Sequence, residues 1–327
     1  MKTAALRHTQ RGAALLLAML VVTLVATLAS AALWQQWRAA EVEQAERQRV
    51  QAGWILTGAL DWARLILRED ARDNQSSGNA DHLGEPWATP LEEARLSSFL
   101  AADKNNNTDG MLEAFLSGEV IDLQSRMNFL NVVRVVGTGA QTTVELSEAD
   151  MRSFAKLYEL LGLPTSELNA AANELRASMR LALSDPLPSR TSLLPKKFAQ
   201  LAWLGIGQRS LAVLEPHVTV LPNRATLNFN TASAQTICAS VPGMDLAQAR
   251  QLTAAREREP FKSLANVSTA VPAIAGQLSD LYHGVRSNHF EVRGRLRLDN
   301  TTIEERSLVV RNNLEVRVSW RERFARR

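Results

Sequence analysis

The hydrophobic positions of this chain change rhythm along its length, and each rhythm predicts a different element. From Ala13 to Leu33 they are continuous: AALLLAMLVVTLVATLASAAL, 21 residues without a charge. As a helix this run is about 31 Å long, enough to cross the apolar core of a bilayer. Charges are mixed from Arg38 to Arg49. Then Ala52, Ile55, Leu56, Ala59, Leu60, Ala63, Ile66 and Leu67 recur at spacings of three and four. That spacing predicts one apolar helix face packing on a domain. The helix is expected to stop before Asn74-Gln75-Ser76-Ser77-Gly78, a loop signal.

Further on, Trp87 between Pro86 and Pro90 predicts a packed loop from Leu83 to Leu91, followed by a short helix from Leu91 to Ala102. Glu119 to Leu123 and Met127 to Val133 read as a strand pair. Glu148 to Leu161 has helical spacing and ends at Gly162 with Pro164 behind it. Ser166 is the expected cap of the next helix, to Leu183, which Asp185-Pro186 and Pro188 break. Short helices are expected over Leu193–Leu204 and Ser210–Leu214, then short strands over Val218–Leu221 and Ala225–Phe229. Thr231 or Ser233 caps a helix through Ala239, and Pro242-Gly243-Met244 turns into another, Leu246–Glu257. The tail alternates from Phe290 to Leu298, and Ser307–Val310 and Leu314–Trp320 complete a three-stranded antiparallel meander.

Three readings fit the N-terminus. A leader with Lys2, Arg7 and Arg11 and no acid precedes the apolar run. An uncleaved signal anchor fits this pattern. A secretory signal peptide with Ala29-Ser30-Ala31 as its cleavage site also fits, although its apolar region is usually about 7–15 residues. In the third reading, Gly12 before the apolar run resembles the processing site of type IV pilins and type II secretion pseudopilins. There a prepilin peptidase cuts after the Gly, making Ala13 the first mature residue. Such subunits mostly carry Glu at the fifth mature position; here that position is Leu17.

Charge and composition narrow the functions. The formal net charge is +3, and the leader supplies all of it, so the basic pI is no argument for nucleic acid. Arg286 to Arg327 holds eleven Arg against six Asp and Glu, which reads as a solvated strand face. A single cysteine, Cys238, excludes an intramolecular disulfide and CxxC motifs and is expected to be a small buried hydrophobe. None of His8, His82, His217, His283 and His289 forms an HxH or HxxxH pair, and there is no GxSxG elbow. No catalytic site is assigned. In DKNNNTDG (Asp103 to Gly110), Asn105, Asn107, Asp109 and Gly110 match the start of a calcium loop, but Leu116 stands where a bidentate Glu is required. A solvated turn is the expectation there.

The order of several stretches resembles the K-type minor pseudopilin of the type II secretion system. They are Gly12 with its apolar run, Leu17 in place of the Glu, and Asp122-Leu123-Gln124-Ser125-Arg126-Met127-Asn128. Pro216 to Pro222, Leu227 to Ser233, Arg256 to Leu264 and Ser287 to Phe290 follow in turn. The resemblance implies an α+β fold: a long N-terminal transmembrane stem helix, a pilin-like head with an antiparallel sheet, and a large helical insertion with SAM-like (helix-hairpin-helix-like) parts. Its boundaries would be leader 1–12, membrane-spanning stem 13–33, periplasmic stem 34–70, first part of the head 71–144, first helical part 145–215, a returning strand segment 216–230, second helical part 231–285 and terminal strands 286–327. Gly12 and Ala13 would be the processing site, and Leu17 would mark a place at the filament tip.

The implied partners are the I- and J-type minor pseudopilins, then the H type, with the prepilin peptidase and the inner-membrane assembly platform. The implied location is the inner membrane of a Gram-negative cell, single pass, N-terminus cytoplasmic and head periplasmic, and the implied role is a structural subunit rather than an enzyme. The family associates calcium with an acidic segment of the first helical part. Between Leu175 and Leu201 this chain has Asp185 as its only acid, so no ligand is assigned. The alternatives are a DNA-uptake or type IV minor pilin, which would bind nucleic acid through Arg293, Arg295 and Arg297, and a single-pass periplasmic adaptor.

Overall fold

The computed structural model describes residues 11–77, 80–96, 114–137, 142–183, 193–298 and 301–326. The chain divides into two compact units, Met1–Ile55 and Leu56–Arg327. One helix, α1 (Arg11–Ser77), contributes to both.

In the first unit α1 carries the charge-free run, and Leu15, Leu16, Leu17, Leu24 and Leu28 are all exposed. A helix apolar on every side, with no protein covering it, suits a lipid surrounding. Its three polar side chains turn back on the helix: Thr23, Thr27 and Ser30 donate to the carbonyls of Leu20, Leu24 and Ala26 at 2.8–2.9 Å. Their hydroxyls therefore need no external partner in hydrocarbon. Past the run, Glu43–Arg47 and Glu46–Arg49 pair at 2.6 Å along the exposed helix.

In the second unit Leu56, Leu60, Ala63 and Leu67 form the buried face that the spacing predicted, and Asp70 continues it. The helix does not stop at Asn74 but runs to Ser77. Asn74 is held by Glu85, its Nδ2 donating to Oε1 at 3.1 Å, so a loop-favouring side chain is anchored inside the helix.

This part of α1 packs on a five-stranded antiparallel sheet of order β1-β2-β9-β10-β11. Its strands are β1 (Leu91–Arg95), β2 (Ala114–Asp122), β9 (His289–Leu298), β10 (Thr301–Asn312) and β11 (Glu315–Arg326). Leu60, Ala63 and Leu67 meet Trp87, Phe290, Val292, Val309 and Val316 in one cluster. Trp87 sits edge-on to Phe290 with ring centroids 5.2 Å apart. Arg64 donates to the carbonyl of Val316 from Nε (3.0 Å) and Nη2 (2.8 Å), tying helix to strand. The terminal meander forms as predicted, and β2 and β1 extend it.

Two expectations fail here. Leu91–Arg95 is an edge strand, not the start of a helix, because pairing with β2 decides its conformation. Glu119–Leu123 and Met127–Val133 do not pair with each other. Between them Asp122 accepts from Gln124 N at 2.7 Å and starts a 3-10 turn, Leu123–Ser125. The chain then leaves for β3 (Met127–Asn128), parallel to β6 (Val218–Thr219), and for a hairpin of β4 (Val133–Val136) with β5 (Thr143–Leu146). β7 (Leu227–Asn228) pairs in parallel with β8 (His283–Gly284). The DKNNNTDG stretch, and Asp185 with its prolines, lie outside the described residues.

Gly118 of β2 and Gly294 of β9 stand directly opposite one another. A Cβ on Gly118 would lie 2.9 Å from the carbonyl oxygen of Arg293, a backbone atom that cannot swing away. Gly118→Ala is therefore expected to cost roughly 1–3 kcal/mol of unfolding free energy, read from urea denaturation.

The helices share one hydrophobic cluster. α2 (Glu148–Leu160) is capped by Ser147 and ends before Gly162, whose φ is +68°. α3 (Thr165–Ala182) begins after Pro164, with no side-chain cap from Ser166. Beside it, Glu167 instead accepts from Gly207 N at 2.6 Å, holding the segment before α4 (Gln208–Leu214). The stretch expected as a helix over Leu193–Leu204 is a 3-10 turn, Phe198–Leu204. α5 (Ala234–Ser240) is capped by Ser233, and α6 (Leu246–Arg258) by a reciprocal Asp245–Gln248 pair. α7 is Leu264–Ala270. Phe154, Leu157, Leu168, Leu175 and Leu201 pack with Ile237, Leu252 and Val267, so both helical parts lie in the same core. Cys238 is buried in it.

Candidate functional site

The stretches singled out in the sequence are far apart in the chain, yet most of them meet at one buried polar hub. Asp122 closes β2. Its Oδ2 accepts from Ser287 Oγ at 2.6 Å, Thr231 Oγ1 at 2.5 Å and Asn228 Nδ2 at 3.1 Å. Burial pushes its carboxyl up to about 6, with those hydrogen bonds pulling the other way. Asn228 is fully buried and donates also to Ser287 Oγ (2.9 Å) and to the carbonyl of Asp81 (3.1 Å). Two residues on, Asn230 exchanges hydrogen bonds with the backbone of Phe261, both at 2.9 Å. Arg256 Nη1 donates to the carbonyls of Phe229 and Ala232 at 2.6 Å. The Leu227–Ser233 and Arg256–Leu264 stretches are thereby fastened to each other and to β2.

Asn128 plays the same part at the other end of the 122–128 turn. Its Oδ1 accepts from Leu221 N at 3.0 Å, and its Nδ2 donates to the carbonyl of Asn223 at 3.0 Å. Ser125 occupies the turn between them and donates to the carbonyl of Asp122 at 2.6 Å.

An ion cluster that the sequence reading did not assign adjoins the hub. Arg311 of β10 reaches Asp70 of α1 at 2.7 Å, bonds Asp81, and donates to the Ser287 carbonyl at 2.8 Å, with its guanidinium over the Phe290 ring. Glu85 lies beside them and accepts from His82 N (2.9 Å) and Trp87 Nε1 (2.7 Å). The three carboxylates offer oxygens within 4.8 Å of one another, and Arg311 supplies their counter-charge. Burial, and then the nearby Glu85, push Asp70 up to about 7, and burial raises Glu85 as well. A clue was present in the sequence: Asp70 follows Leu67 by three residues on the face that α1 buries.

Among the described residues the histidines offer no constellation. Burial disfavours the charged form of His217, His283 and His289 and lowers their pKa values. His217 Nδ1 lies 3.0 Å from Thr236 Oγ1 and is spent on the start of α5. The basic strands are occupied too. Arg293 pairs with Glu119 at 3.1 Å and with Glu291, and Arg297 with Glu93 at 2.7 Å. At the Gly243 turn Lys156 of α2 donates to the carbonyls of Met244 (2.6 Å) and Val241 (3.1 Å), and Asp245 caps α6. That turn is built for packing within the protein.

Gly12 and Ala13 fall in the first turn of α1, and Leu17 is exposed one turn further on. They lie in the first unit, whereas the hub lies wholly in the second.

A helix with a bilayer-length apolar run, whose later part packs on an antiparallel sheet in an α+β head, is compatible with a membrane-anchored subunit of pilin-like build. Comparison with known proteins makes this specific. Residues 227–286 match the family model of type II secretion system (T2SS) protein K. The chain is 25% identical to type II secretion system protein K of Pseudomonas aeruginosa, over 88% of this chain and 84% of that protein. It is 25% identical to the protein K of Pectobacterium carotovorum, over 97% of each. A shorter match to the Klebsiella pneumoniae protein K is 36% identical over 83 residues. The fold matches a chain in the crystal structure of the GspK-GspI-GspJ complex from the enterotoxigenic Escherichia coli type 2 secretion system. The TM-score is 0.61 at 16% identity, covering 86% of this chain and 98% of that one. Along most of its length the chain is thus similar to type II secretion system protein K. The matched segment 227–286 spans Asn228, Asn230, Thr231, Arg256 and Phe261, the residues that build the helical side of the hub.

Proposed function

We propose that this chain is a minor pseudopilin at the tip of the type II secretion pseudopilus, where it starts assembly for export of folded proteins across the outer membrane. The observation that carries this reading is the fold match along most of the chain to a member of a GspK-GspI-GspJ complex. By that likeness the partners are the I- and J-type minor pseudopilins, then the H type, on the inner-membrane assembly platform. The chain acts as a structural subunit and not as a catalyst. Basic residues Lys2, Arg7 and Arg11 ahead of the span favour a cytoplasmic N-terminus and a periplasmic head in a Gram-negative cell.

Prepilin peptidase cuts between Gly12 and Ala13. Leu17 then leaves the mature N-terminal region without the carboxylate that would answer a neighbour's terminal amine, which suits a subunit with nothing above it. In the second unit Trp62 and Leu65 stay exposed on α1 beside its buried face, an apolar strip fitted to the stem of a neighbouring subunit.

In cells carrying the peptidase, the mature chain is expected to begin at Ala13 and to co-purify with the I and J subunits. Gly12→Ala is expected to leave the leader in place and to abolish secretion. Finding Met1 on the wild-type chain in such membranes would overturn the processing, and failure to recover either partner would overturn the tip assignment.

A further inference from the structure

We infer that the head contains a binding cavity between α1 and the sheet for a small uncharged apolar molecule bearing one hydrogen-bonding group. The cavity holds about 260 Å³ and lies among Leu60, Trp62, Ala63, Trp87, Leu116 and Val292. Its cause is visible in the strand register. Gly118 of β2 faces Gly294 of β9, which faces Glu305 of β10. The row on one side is Leu116–Leu296–Ile303 and the row on the other is Val120–Val292–Ser307. Two adjacent strands therefore drop their side chains in a single row, under a helix that presents Ala59 and Ala63 there. Small residues from both layers open the space together.

The lining sets the ligand's chemistry. Glu305, on the floor, is held by Arg323 at 2.6 Å and Arg321 at 3.2 Å. Arg293 is held by Glu119 and Glu291. A charged ligand would have to compete with pairs already made, whereas a neutral one only covers apolar surface. Ser307 also lines the cavity, and its buried hydroxyl has no hydrogen-bond partner. An apolar cavity of about 150 Å³ accepts benzene in a protein interior, so this one has room for two fused rings or a short branched chain. Because Ser307 Oγ is buried, a turn of its side chain toward the space would let it meet a single hydroxyl or carbonyl on the ligand.

The test is calorimetric titration of the full chain in lipid nanodiscs with 2-naphthol, with empty nanodiscs as the blank and 2-methylnaphthalene as the hydrocarbon control. One saturable site above the blank is expected. Gly294→Val enters the space from the sheet, its Cβ pressing on the flexible Leu56 Cδ2 at 3.1 Å, and Ala63→Leu enters it from the helix. Each is expected to weaken 2-naphthol binding at least about tenfold while a cooperative thermal transition persists. If one of the two fails to fold, the other carries the comparison. Ser307→Ala is expected to weaken 2-naphthol by about threefold to tenfold and to leave 2-methylnaphthalene unchanged. No saturable binding, or wild-type affinity in a folded filled variant, overturns the cavity. Equal losses for both ligands in Ser307→Ala overturn the role given to the hydroxyl.

Discussion

Arg311→Leu lowers the unfolding free energy of the head by about 3–5 kcal/mol, the expected result of leaving buried carboxylates without their cation. Asp70 and Asp81 both bond this guanidinium, and Glu85 stands beside them. Leucine keeps some apolar contact with Phe290 but answers neither charge. Acid should restore part of the loss, because protonated carboxyls need no counter-ion. In the wild-type protein, too, stability should depend on pH in a definite direction. Burial raises Asp70 from 3.8 to about 7, so the native state holds this proton more tightly than the unfolded chain. Its contribution is fully present below about pH 4 and is lost as pH rises through about 7. Asp70→Asn should flatten that slope while keeping an acceptor for Arg311. Melting temperatures of the full chain between pH 5 and pH 8 decide the matter. A pH slope that Asp70→Asn leaves unchanged would falsify the account of Asp70.

The second large effect is expected at Asp122. Asp122→Ala removes the acceptor shared by Ser287, Thr231, Asn228 and Gln124 N. Several buried donors are stranded together, each at roughly 1–3 kcal/mol, with part of the loss recovered by rearrangement. A total of about 3 kcal/mol or more is anticipated. Asn228 and Ser287 belong to different segments, so the loosening should be regional. Amide exchange of residues 227–231 and 285–288 should accelerate well before that of β10. Asp122→Asn retains one acceptor and should fall between alanine and wild type. A loss under about 1 kcal/mol for the alanine variant would mean that the hub is incidental to the head's integrity.

What the sequence revealed follows the range of the forces involved. The stem helix, the buried stripe from Leu56 to Leu67, α2 with its Ser147 cap and Gly162 stop, and α6 with its Asp245–Gln248 pair are local matters. Spacing and capping residues suffice for them. Leu91–Arg95 departs from its local helical reading because its conformation is imposed by β2, twenty or more residues away. The false hairpin at 119–133 arose because two apolar stretches looked like partners, while Asp122 and Asn128 each bend the chain with their own side chains. The motif residues of the hub were visible as a family pattern, but their convergence was not. Nothing local says that Asp122 will meet Ser287. The cavity was invisible for a related reason: Gly118 and Gly294 matter only once the register places them face to face.

The hub and the ion cluster also constrain the order of events as the chain emerges. Asp122 meets Ser287 across 165 residues, and Asp70 meets Arg311 across 241. Closing loops of this length is slow compared with forming helices, and neither contact exists until the final strands have been made. In a chain made N-terminus first, β2 and its carboxylate therefore stay open until β9 and β10 arrive. Truncation before Ser287 would not trim the molecule; it would remove its latch. Ser287 and the strands that follow it thus close both the hub and the ion cluster, and a head lacking them would lose both at once.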